Sequence, residues 1–385
     1  MNFYKKLLFL IICFFLLNAV IIFSDEYTNK KFGYFVDIPY GWKIIDASNP
    51  DIISFSNANG SAVFQVFTFK NTAYDNPGEM LNYFKNKLKA SGDAESFIFS
   101  ENDSILADLS FETDLFKARG YFIFINGKKH DFALLAYSDL KYYEENHDYM
   151  LSALNTFSMD EEGKVLPGTV SQYYYQVDPK EKKEVKLVVW GKTIETVIDY
   201  NEIETTQVLI EREARILIDL SKHKLEEDEV IKAGNRYYNL IYRDNYTRVK
   251  SLASLIIKSL DFDINNSDEV VKKLVFFIQN FKFKRREITD ITSPLETLYS
   301  FTGDCDSRVL LLLIMLHQIG IDAIMFFSPK YQHAAIGINI KGDGVKIRFK
   351  GKDYLFTNLN NVMDMGVFPE QMTDPSAWIP MKIGY

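Results

Sequence analysis

The chain has 385 residues, of which 47% are hydrophobic and 25% charged, the balance of an ordinary globular protein. Its formal net charge is −8, and no basic stripe offsets that charge, which excludes nucleic-acid binding as its main role. The one local basic cluster, KFKRRE at 282–287, is predicted to be a solvated edge strand. A chain of this length exceeds one compact core, so we expect two or three domains.

Residues 1–24 have the pattern of a secretory signal. Lys5 and Lys6 precede a run from Leu7 to Phe23 that is apolar except for Asn18, and Ser24 can close a cleavage site. The run has 17 residues, just short of the roughly 20 that cross a bilayer, so an uncleaved membrane anchor is the alternative. We therefore expect an exported protein that is periplasmic, envelope-associated or secreted.

Residues 31–159 predict an antiparallel sheet with helices against it. Period-2 alternation marks the strands, and two amphipathic segments mark the helices, PGEMLNYFKNKLKAS and KYYEENHDYMLSALNTF. The opening FVDIPYGW and the last helix, which ends in NTF, resemble the PsbP/Mog1-like modules of exported bacterial proteins. Such a module implies binding to an envelope protein partner and carries no catalytic motif.

The middle of the chain is predicted to be helical. Residues 160–183 are polar, contain glycine and proline, and are interpreted as a linker. EVKLVVWGKTIETVIDY at 184–200 predicts a strand or short hairpin. Four helical segments follow up to about residue 281: TTQVLIEREARILIDL, EDEVIKAGNRYYNLIYR, NYTRVKSLASLIIKSL and SDEVVKKLVFFIQNF.

The last hundred residues predict one apolar helix packed on a meander. Four short strands, IDAIMFFSP, HAAIGINI, GVKIRFK and KDYLFTNL, follow that helix and are separated by turn residues. Residues 184–385 are therefore expected to form a helical region followed by a smaller sheet domain. The predicted fold class of the whole chain is α+β with several domains.

Cys305 is the only cysteine outside the leader, since Cys13 lies in the apolar run and is interpreted as filler. One cysteine cannot form an internal disulfide, and an unpaired thiol in an oxidising compartment invites oxidation. Cys305 also opens the apolar helix DSRVLLLLIMLHQ, where a helix start favours a thiolate. The flanking Asp304 and Asp306 oppose that effect unless they point away. We predict a nucleophile, with a small apolar filler as the alternative.

His333 is the predicted base among the five histidines. In the strand HAAIGINI, alternation places Ala334, Ile336 and Ile338 on one face and His333, Ala335 and Gly337 on the other. The aliphatic face belongs to the core. The histidine face carries little bulk of its own, which predicts room for a side chain or substrate.

Asn358 is the predicted third member of the site. In KDYLFTNLNN, alternation puts it on one face with Tyr354 and Phe356, on a strand close to that of the histidine. Its carboxamide can accept a hydrogen bond from the Nδ1–H of the imidazole and fix the tautomer of the base. Asn360, Asn361 and Asp364 are alternatives for this position.

These segments together resemble the transglutaminase-like superfamily. Gly303-Asp304-Cys305 matches its nucleophile motif, Ile319-Gly320-Ile321 its helix exit, and His333 its strand histidine. The resemblance covers about residues 270–385 and implies a papain-like fold with acyl chemistry. The third position, usually acidic in that family, is Asn358 in this chain.

Two functions remain as hypotheses. The first is an exported thiol enzyme that hydrolyses or transfers amides of a peptide or protein substrate through Cys305, His333 and Asn358. The second is a non-catalytic envelope binding or scaffold protein that keeps the transglutaminase-like fold. Neither needs a cofactor, and scattered histidines with a lone cysteine lack the spacing of a metal site. Membrane association through the N-terminal segment is compatible with both.

Overall fold

The computed structural model describes residues 26–113, 116–175, 182–259 and 267–384. The predicted signal, with Cys13, lies outside these ranges. Within them, no helix combines the length and the hydrophobicity needed to cross a membrane. The chain forms two compact units: Met1–Lys164 with Gly168–Gln176, and Val165–Pro167 with Val177–Tyr385. Each unit is described separately below.

The N-terminal unit is built on an antiparallel seven-stranded sheet. Its strands, after the small pair β1 (Glu26–Thr28) and β2 (Phe35–Asp37), are β3 (Lys43–Asn49), β4 (Ile52–Ser56), β5 (Ala62–Lys70), β6 (Ser91–Phe99), β7 (Asn102–Glu112), β8 (Lys117–Ile125) and β9 (His130–Asp139). The strand order is β3-β4-β5-β9-β8-β7-β6. The predicted antiparallel sheet is confirmed.

Two helices cover opposite faces of this sheet. Helix α1 (Pro77–Leu88) begins where the Asn76 side chain accepts a hydrogen bond from the backbone N–H of Glu79. It buries Met80, Phe84 and their neighbours in the core on one face. Helix α2 (Tyr143–Asn155) buries Met150 in a second core on the other face. Both cores are rich in aromatic rings.

Part of the expected linker 160–183 is folded. A 3₁₀ turn spans Glu162–Val165, and a short helix, α3, spans Thr169–Tyr174. The Thr169 hydroxyl donates to the carbonyl of Leu154 at 2.8 Å. Residues 168–175 therefore belong to the N-terminal unit, and residues 176–181 lie outside the described ranges.

The C-terminal unit begins with a hairpin and three long helices. Strands β10 (Lys182–Val189) and β11 (Lys192–Asp199) pair antiparallel, as one of the two predicted arrangements requires. Helices α4 (Tyr200–Ser221), α5 (Glu227–Ser259) and α6 (Ser267–Gln279) follow. The sequence pattern predicted two helices where α5 forms one helix of 33 residues, because Asp244 and Asn245 continue the helix without a break.

The rest of this unit packs helices on a five-stranded sheet. Helices α7 (Pro294–Ser300) and α8 (Cys305–Gln318) precede β12 (Ala323–Ser328), β13 (His333–Ile338), β14 (Lys346–Phe349), β15 (Lys352–Thr357) and β16 (Ile379–Met381). The order is β14-β15-β13-β12-β16, and all four pairings are antiparallel. The predicted meander is wrong, because β15 lies between β13 and β14 and pairs with both strands. The α+β fold class with a helical middle is confirmed.

The basic cluster at 282–287 is not an edge strand, so that prediction is wrong. Only Lys282 forms an isolated bridge, with Thr302. Lys284 donates to a Glu296 carboxylate oxygen at 3.0 Å, and Arg286 pairs with the other oxygen of the same carboxylate. Lys284 and Arg286 therefore neutralise Glu296, a buried acid of α7, and the cluster does not form an edge strand.

Candidate functional site

Cys305 is the first residue of α8, as the sequence predicts. The Asp304 side chain accepts a hydrogen bond from the backbone N–H of Ser307 at 2.9 Å and caps the helix. Gly303 lies in tight packing, because a Cβ there would stand 2.9 Å from the Cβ of Ser307. The residues of α8 from Val309 to Leu316 are wholly buried, so the cysteine sits on a rigid helix.

The thiol of Cys305 is buried among acids. It is 5% exposed, and its S–H donates to Asp306 Oδ1 at 3.6 Å. Burial, followed by the carboxylates of Asp306 and Asp304, raises the pKa of Cys305 to about 12, although the backbone N–H of Ala334 acts in the opposite direction. Burial and the two carboxylates therefore favour the thiol over the thiolate that a helix start would favour.

Asp306, which accepts the hydrogen bond of the Cys305 thiol, also has a second donor. Its Oδ2 accepts a hydrogen bond from the Tyr238 hydroxyl at 3.0 Å. Burial and the nearby Asp304 carboxylate raise the pKa of Asp306 to about 7, against the hydrogen bonds from Tyr238 and Cys305. Near neutral pH this carboxyl is consequently only partly ionised.

Among the described residues, Asp304, Cys305 and Asp306 are the one cluster whose side chains could together bind a metal ion. Ligand atoms of Asp304, Cys305 and Asp306 lie within 4.8 Å of one another. Asp304 already accepts from Ser307, and Asp306 accepts from Tyr238 and the thiol. These hydrogen bonds account for the arrangement without an ion.

His333 begins β13 and lies between two asparagines. Its Nε2 is 3.2 Å from Asn358 Oδ1, and its Nδ1 is 3.5 Å from Asn360 Nδ2. The imidazole is 7% exposed. Burial lowers the pKa of His333, and the hydrogen bond with Asn358 acts in the opposite direction.

The structure brings the predicted base and its predicted partner together. Asn358 meets Nε2 and not the Nδ1 expected from the sequence, so the predicted nitrogen is wrong. The reason is the position of Asn360, which lies against Nδ1 instead. A carboxamide oxygen can only accept, so Nε2 carries the proton in this contact.

The Cys305 sulfur lies beside β13, next to the residue that follows His333, but it makes no direct hydrogen bond with the imidazole. The backbone N–H of Ala334, the residue after His333, faces the sulfur. Among the described residues, no hydrogen bond joins the Cys305 sulfur to a His333 nitrogen, because Asp306 and Asn360 occupy those positions. The catalytic role of Cys305, His333 and Asn358 stays a prediction.

The room expected on the histidine face of β13 is occupied by other side chains, which is one of the two predicted alternatives. The alternation itself is as predicted, with Ala334, Ile336 and Ile338 in the core beneath α8. On the other face, the His333 ring lies 6.0 Å from Trp378 and 6.5 Å from Phe368, centroid to centroid. Small residues on β13 make space for these aromatic rings.

Arg308 is a structural residue that the sequence analysis did not single out. It is 2% exposed and donates to the carbonyls of Gly303 at 3.0 Å, Leu359 at 3.0 Å and Phe281 at 2.7 Å. Burial lowers its pKa. The sequence signal for this role is a single arginine in the apolar run SRVLLLLIML. A cation in a buried helix needs hydrogen-bond partners, so this position predicts a structural arginine.

A cavity of about 660 Å³ adjoins the segment after β15. Gln279 lies in its wall, and the Gln279 amide donates to the Asn358 carbonyl at 2.8 Å and the Met363 carbonyl at 3.1 Å. Val275, Phe276 and Leu355 supply apolar walls. A molecule in this cavity would contact the residue that supports the backbone of Asn358.

The chain has distant structural neighbours. Cyanobacterial PsbP (CyanoP) from Synechocystis sp. PCC 6803 is similar over 37% of this chain and 96% of its own, with 12% identity and a TM-score of 0.30. A protein from Bacteroides thetaiotaomicron is similar over 86% and 89%, with 9% identity and a TM-score of 0.26. A candidate protease from Parabacteroides distasonis is similar over 83% and 69%, with 11% identity and a TM-score of 0.21.

No family model matches the chain, and no curated protein matches it significantly. Part of the chain resembles PsbP, and the chain has a distant structural match to a candidate protease. Function therefore has to be inferred from the residues of the chain itself.

Proposed function

We propose that the C-terminal unit is a thiol enzyme of transglutaminase-like type that hydrolyses or transfers amides of peptides or proteins. One observation carries the proposal: the His333 imidazole is held by Asn358 at 3.2 Å, and the amide of the next residue, Ala334, faces the Cys305 sulfur. Nucleophile, base and orienting group are the three parts that such chemistry requires.

The proposed reaction begins with a protonated thiol, in keeping with the pKa of Cys305 of about 12. When substrate binds, the side chain turns from Asp306 toward His333. The sulfur bonds to the carbonyl carbon as its proton passes to the imidazole. That proton then moves to the amide nitrogen as the carbon–nitrogen bond breaks, which leaves a thioester.

Water or an amine completes the reaction. Either one attacks the thioester carbonyl, loses a proton through His333 and returns the thiol to Cys305. Water gives hydrolysis, and an amine gives transfer. The proposed activity is thus hydrolysis or transfer of amides, with peptides or proteins outside the cytoplasm as substrates. The proposed role of the N-terminal unit is to bind an envelope partner.

A second candidate, a non-catalytic binding or scaffold protein, is favoured by a separate observation. The thiol is buried, its pKa is raised, and its acceptor is Asp306. A cysteine in such surroundings is inert at neutral pH. This arrangement would suit a fold kept for recognition.

The deciding experiment compares the wild-type chain with Cys305→Ala and His333→Ala. Dimethylated casein with a fluorescent primary amine reports transfer, and new amino termini on casein report hydrolysis. We expect Cys305→Ala to abolish both products and His333→Ala to lower kcat by about 10²–10⁴-fold. His223→Ala is the matched control, because that histidine is exposed in a loop.

Activity that survives in Cys305→Ala would overturn the proposal. A wild-type chain that yields neither product, and whose Cys305 alkylates no faster than an ordinary buried thiol, would favour the second candidate. Circular dichroism of each variant separates loss of chemistry from loss of fold.

A further inference from the structure

The hydrogen bonds around His333 define one tautomer. The oxygen of the Asn358 carboxamide accepts from Nε2, which must therefore carry the proton. The nitrogen of the Asn360 carboxamide can only donate, so the facing Nδ1 must hold a lone pair. The two contacts agree on a neutral imidazole with its proton on Nε2.

Asn360 is arranged to make this second contact. Its backbone N–H donates to Asn358 Oδ1 at 3.0 Å, which fixes the two asparagines relative to each other. Its own Oδ1 is buried and has no hydrogen-bond partner among the described residues. Reversing the carboxamide would put an oxygen lone pair against the lone pair of Nδ1, so the imidazole determines the orientation seen.

We propose that Asn360 is a positioning residue that keeps His333 in the Nε2–H form, with Nδ1 as the nitrogen that accepts a proton. The inference rests on the proposed function, in which His333 takes the proton of the thiol. At 3.5 Å, the contact with Nδ1 is at the long limit of a hydrogen bond. The arriving thiol can therefore displace it, while the 3.2 Å contact with Asn358 stays in place.

The surroundings of the ring allow the two asparagines to be tested separately. Phe368 and Trp378 cover the ring on the aromatic side, and Ser328 pairs with His333 across the ladder. Among the contacts of the described residues, no charged side chain hydrogen-bonds to the imidazole, and the backbone N–H of the next residue, Ala334, faces the Cys305 thiol. The carboxamides are therefore the polar groups that set its protonation.

The two asparagines act on the pKa of His333 with opposite signs. A donor to Nδ1 stabilises the neutral ring, so Asn360→Ala should raise the pKa. The acceptor at Nε2 stabilises the charged ring, so Asn358→Ala should lower it. We expect each shift to be roughly half a unit to one unit, the equivalent of one hydrogen bond.

The test is an NMR titration of the full chain with ¹⁵N-labelled histidine, in which His333→Ala assigns the resonance. Wild type should show protonated Nε2 and unprotonated Nδ1, whereas Asn360→Ala, in which Asn358 alone selects the tautomer, should show a measurable minor share of the Nδ1–H form. Asn361→Ala is the matched control, because Asn361 is exposed next in sequence and makes no contact with the ring in the described structure. It should leave the tautomer and the pKa unchanged.

Asn360→Asp serves if the alanine variant does not fold, since it keeps the size of the side chain and replaces the donor with an acceptor. It should raise the pKa of His333 more than Asn360→Ala does. When casein is the substrate, the acid limb of the plot of kcat/KM against pH should shift to higher pH in both Asn360 variants. A purely structural role would lower the rate without moving that limb.

A pKa that falls in Asn360→Ala would show that the carboxamide serves the charged ring through Oδ1, and it would overturn the proposal. An unchanged tautomer would overturn it as well. These NMR results do not depend on turnover, so they remain distinguishable from a failure of the thiol-enzyme proposal, which the Cys305→Ala products decide.

Discussion

The two faces of the C-terminal sheet are packed with different kinds of hydrophobic side chain. Beneath α8, strand β13 contributes Ala334, Ile336 and Ile338 to a mainly aliphatic core that also holds Cys305. The opposite face is aromatic, with Phe326, Phe356, Phe368 and Trp378 around Ala335. The His333 ring contacts this second group.

This difference separates the supports of the two proposed reacting groups. The position of the sulfur depends on the packing of a buried helix against aliphatic side chains. The position of the imidazole depends on aromatic rings, two of which come from the segment after β15, and on two asparagines. Each support can therefore be perturbed without removing the other.

The largest expected effect is on the aliphatic face. Leu312 in α8 is fully buried, and Leu312→Ala should lower the free energy of unfolding by about 2–5 kcal/mol, because it removes apolar contacts and leaves a cavity. Urea unfolding measures the change. Leu255→Ala is the control, since Leu255 is 37% exposed and should change stability by less than about 1 kcal/mol.

An intermediate effect is expected on the aromatic face. A Cβ at Gly337 would stand 2.6 Å from Phe326 and 2.8 Å from the Cβ of Tyr354. Gly337→Ala should therefore lower the free energy of unfolding by about 1–3 kcal/mol through overpacking. The alkylation rate of Cys305 should stay unchanged, because the sulfur belongs to the other face. An unchanged urea midpoint in Gly337→Ala would mean that the aromatic face can accommodate the added methyl group without overpacking.

The smallest expected effect is electrostatic and concerns the thiol. Asp306→Asn removes a carboxylate that raises the pKa of Cys305, so that pKa should fall below about 12. Each unit of decrease makes alkylation about tenfold faster at a fixed pH below the pKa. Iodoacetamide labelling of the Cys305 peptide, read by mass spectrometry at pH 8, measures the rate. A rate equal to wild type would show that burial alone controls the thiol.

A matched variant separates this effect from a general loss of charge. Asp290 is exposed and is among the weaker influences on the pKa of Asp306. Asp290→Asn should leave the alkylation rate close to that of wild type. Equal acceleration in the two variants would point to the summed charge of the region as the cause.

The sequence predicted local patterns of the site better than its surroundings. Alternation along β13 placed His333 opposite Ala334, and the Asp304 cap placed Cys305 at the helix start. The filling of the histidine face depends on Phe368 and Trp378, which are remote in sequence from β13. Side-chain alternation reports which face a residue occupies and carries no information on what a distant segment will place there.

The thiol illustrates a second limit. The sequence shows both the helix start, which favours a thiolate, and two neighbouring acids, which oppose it. Which effect prevails depends on burial, and burial dominates the pKa of Cys305. Depth below the surface is a property of the whole fold, so the sign of the net effect followed only from the structure.

One edge strand of the N-terminal sheet could not be predicted from its own sequence, for a similar reason. Strand β6 (Ser91–Phe99) is exposed over its first six residues, and its sequence SGDAESFIF has weak alternation. It forms because β7 offers a partner along its whole length. An edge strand of this kind is determined by its neighbour and not by its own pattern of hydrophobic residues.

The guanidinium of Arg308 makes the two halves of the site interdependent. Its three hydrogen bonds tie the turn before Cys305, the end of α6 and the segment that carries Asn358 and Asn360. A lysine offers only one nitrogen and could not span all three carbonyls. Evolution could therefore alter the acid cluster or the asparagine pair independently, whereas a change at this arginine would shift both at once and move the proposed nucleophile and the proposed base out of alignment.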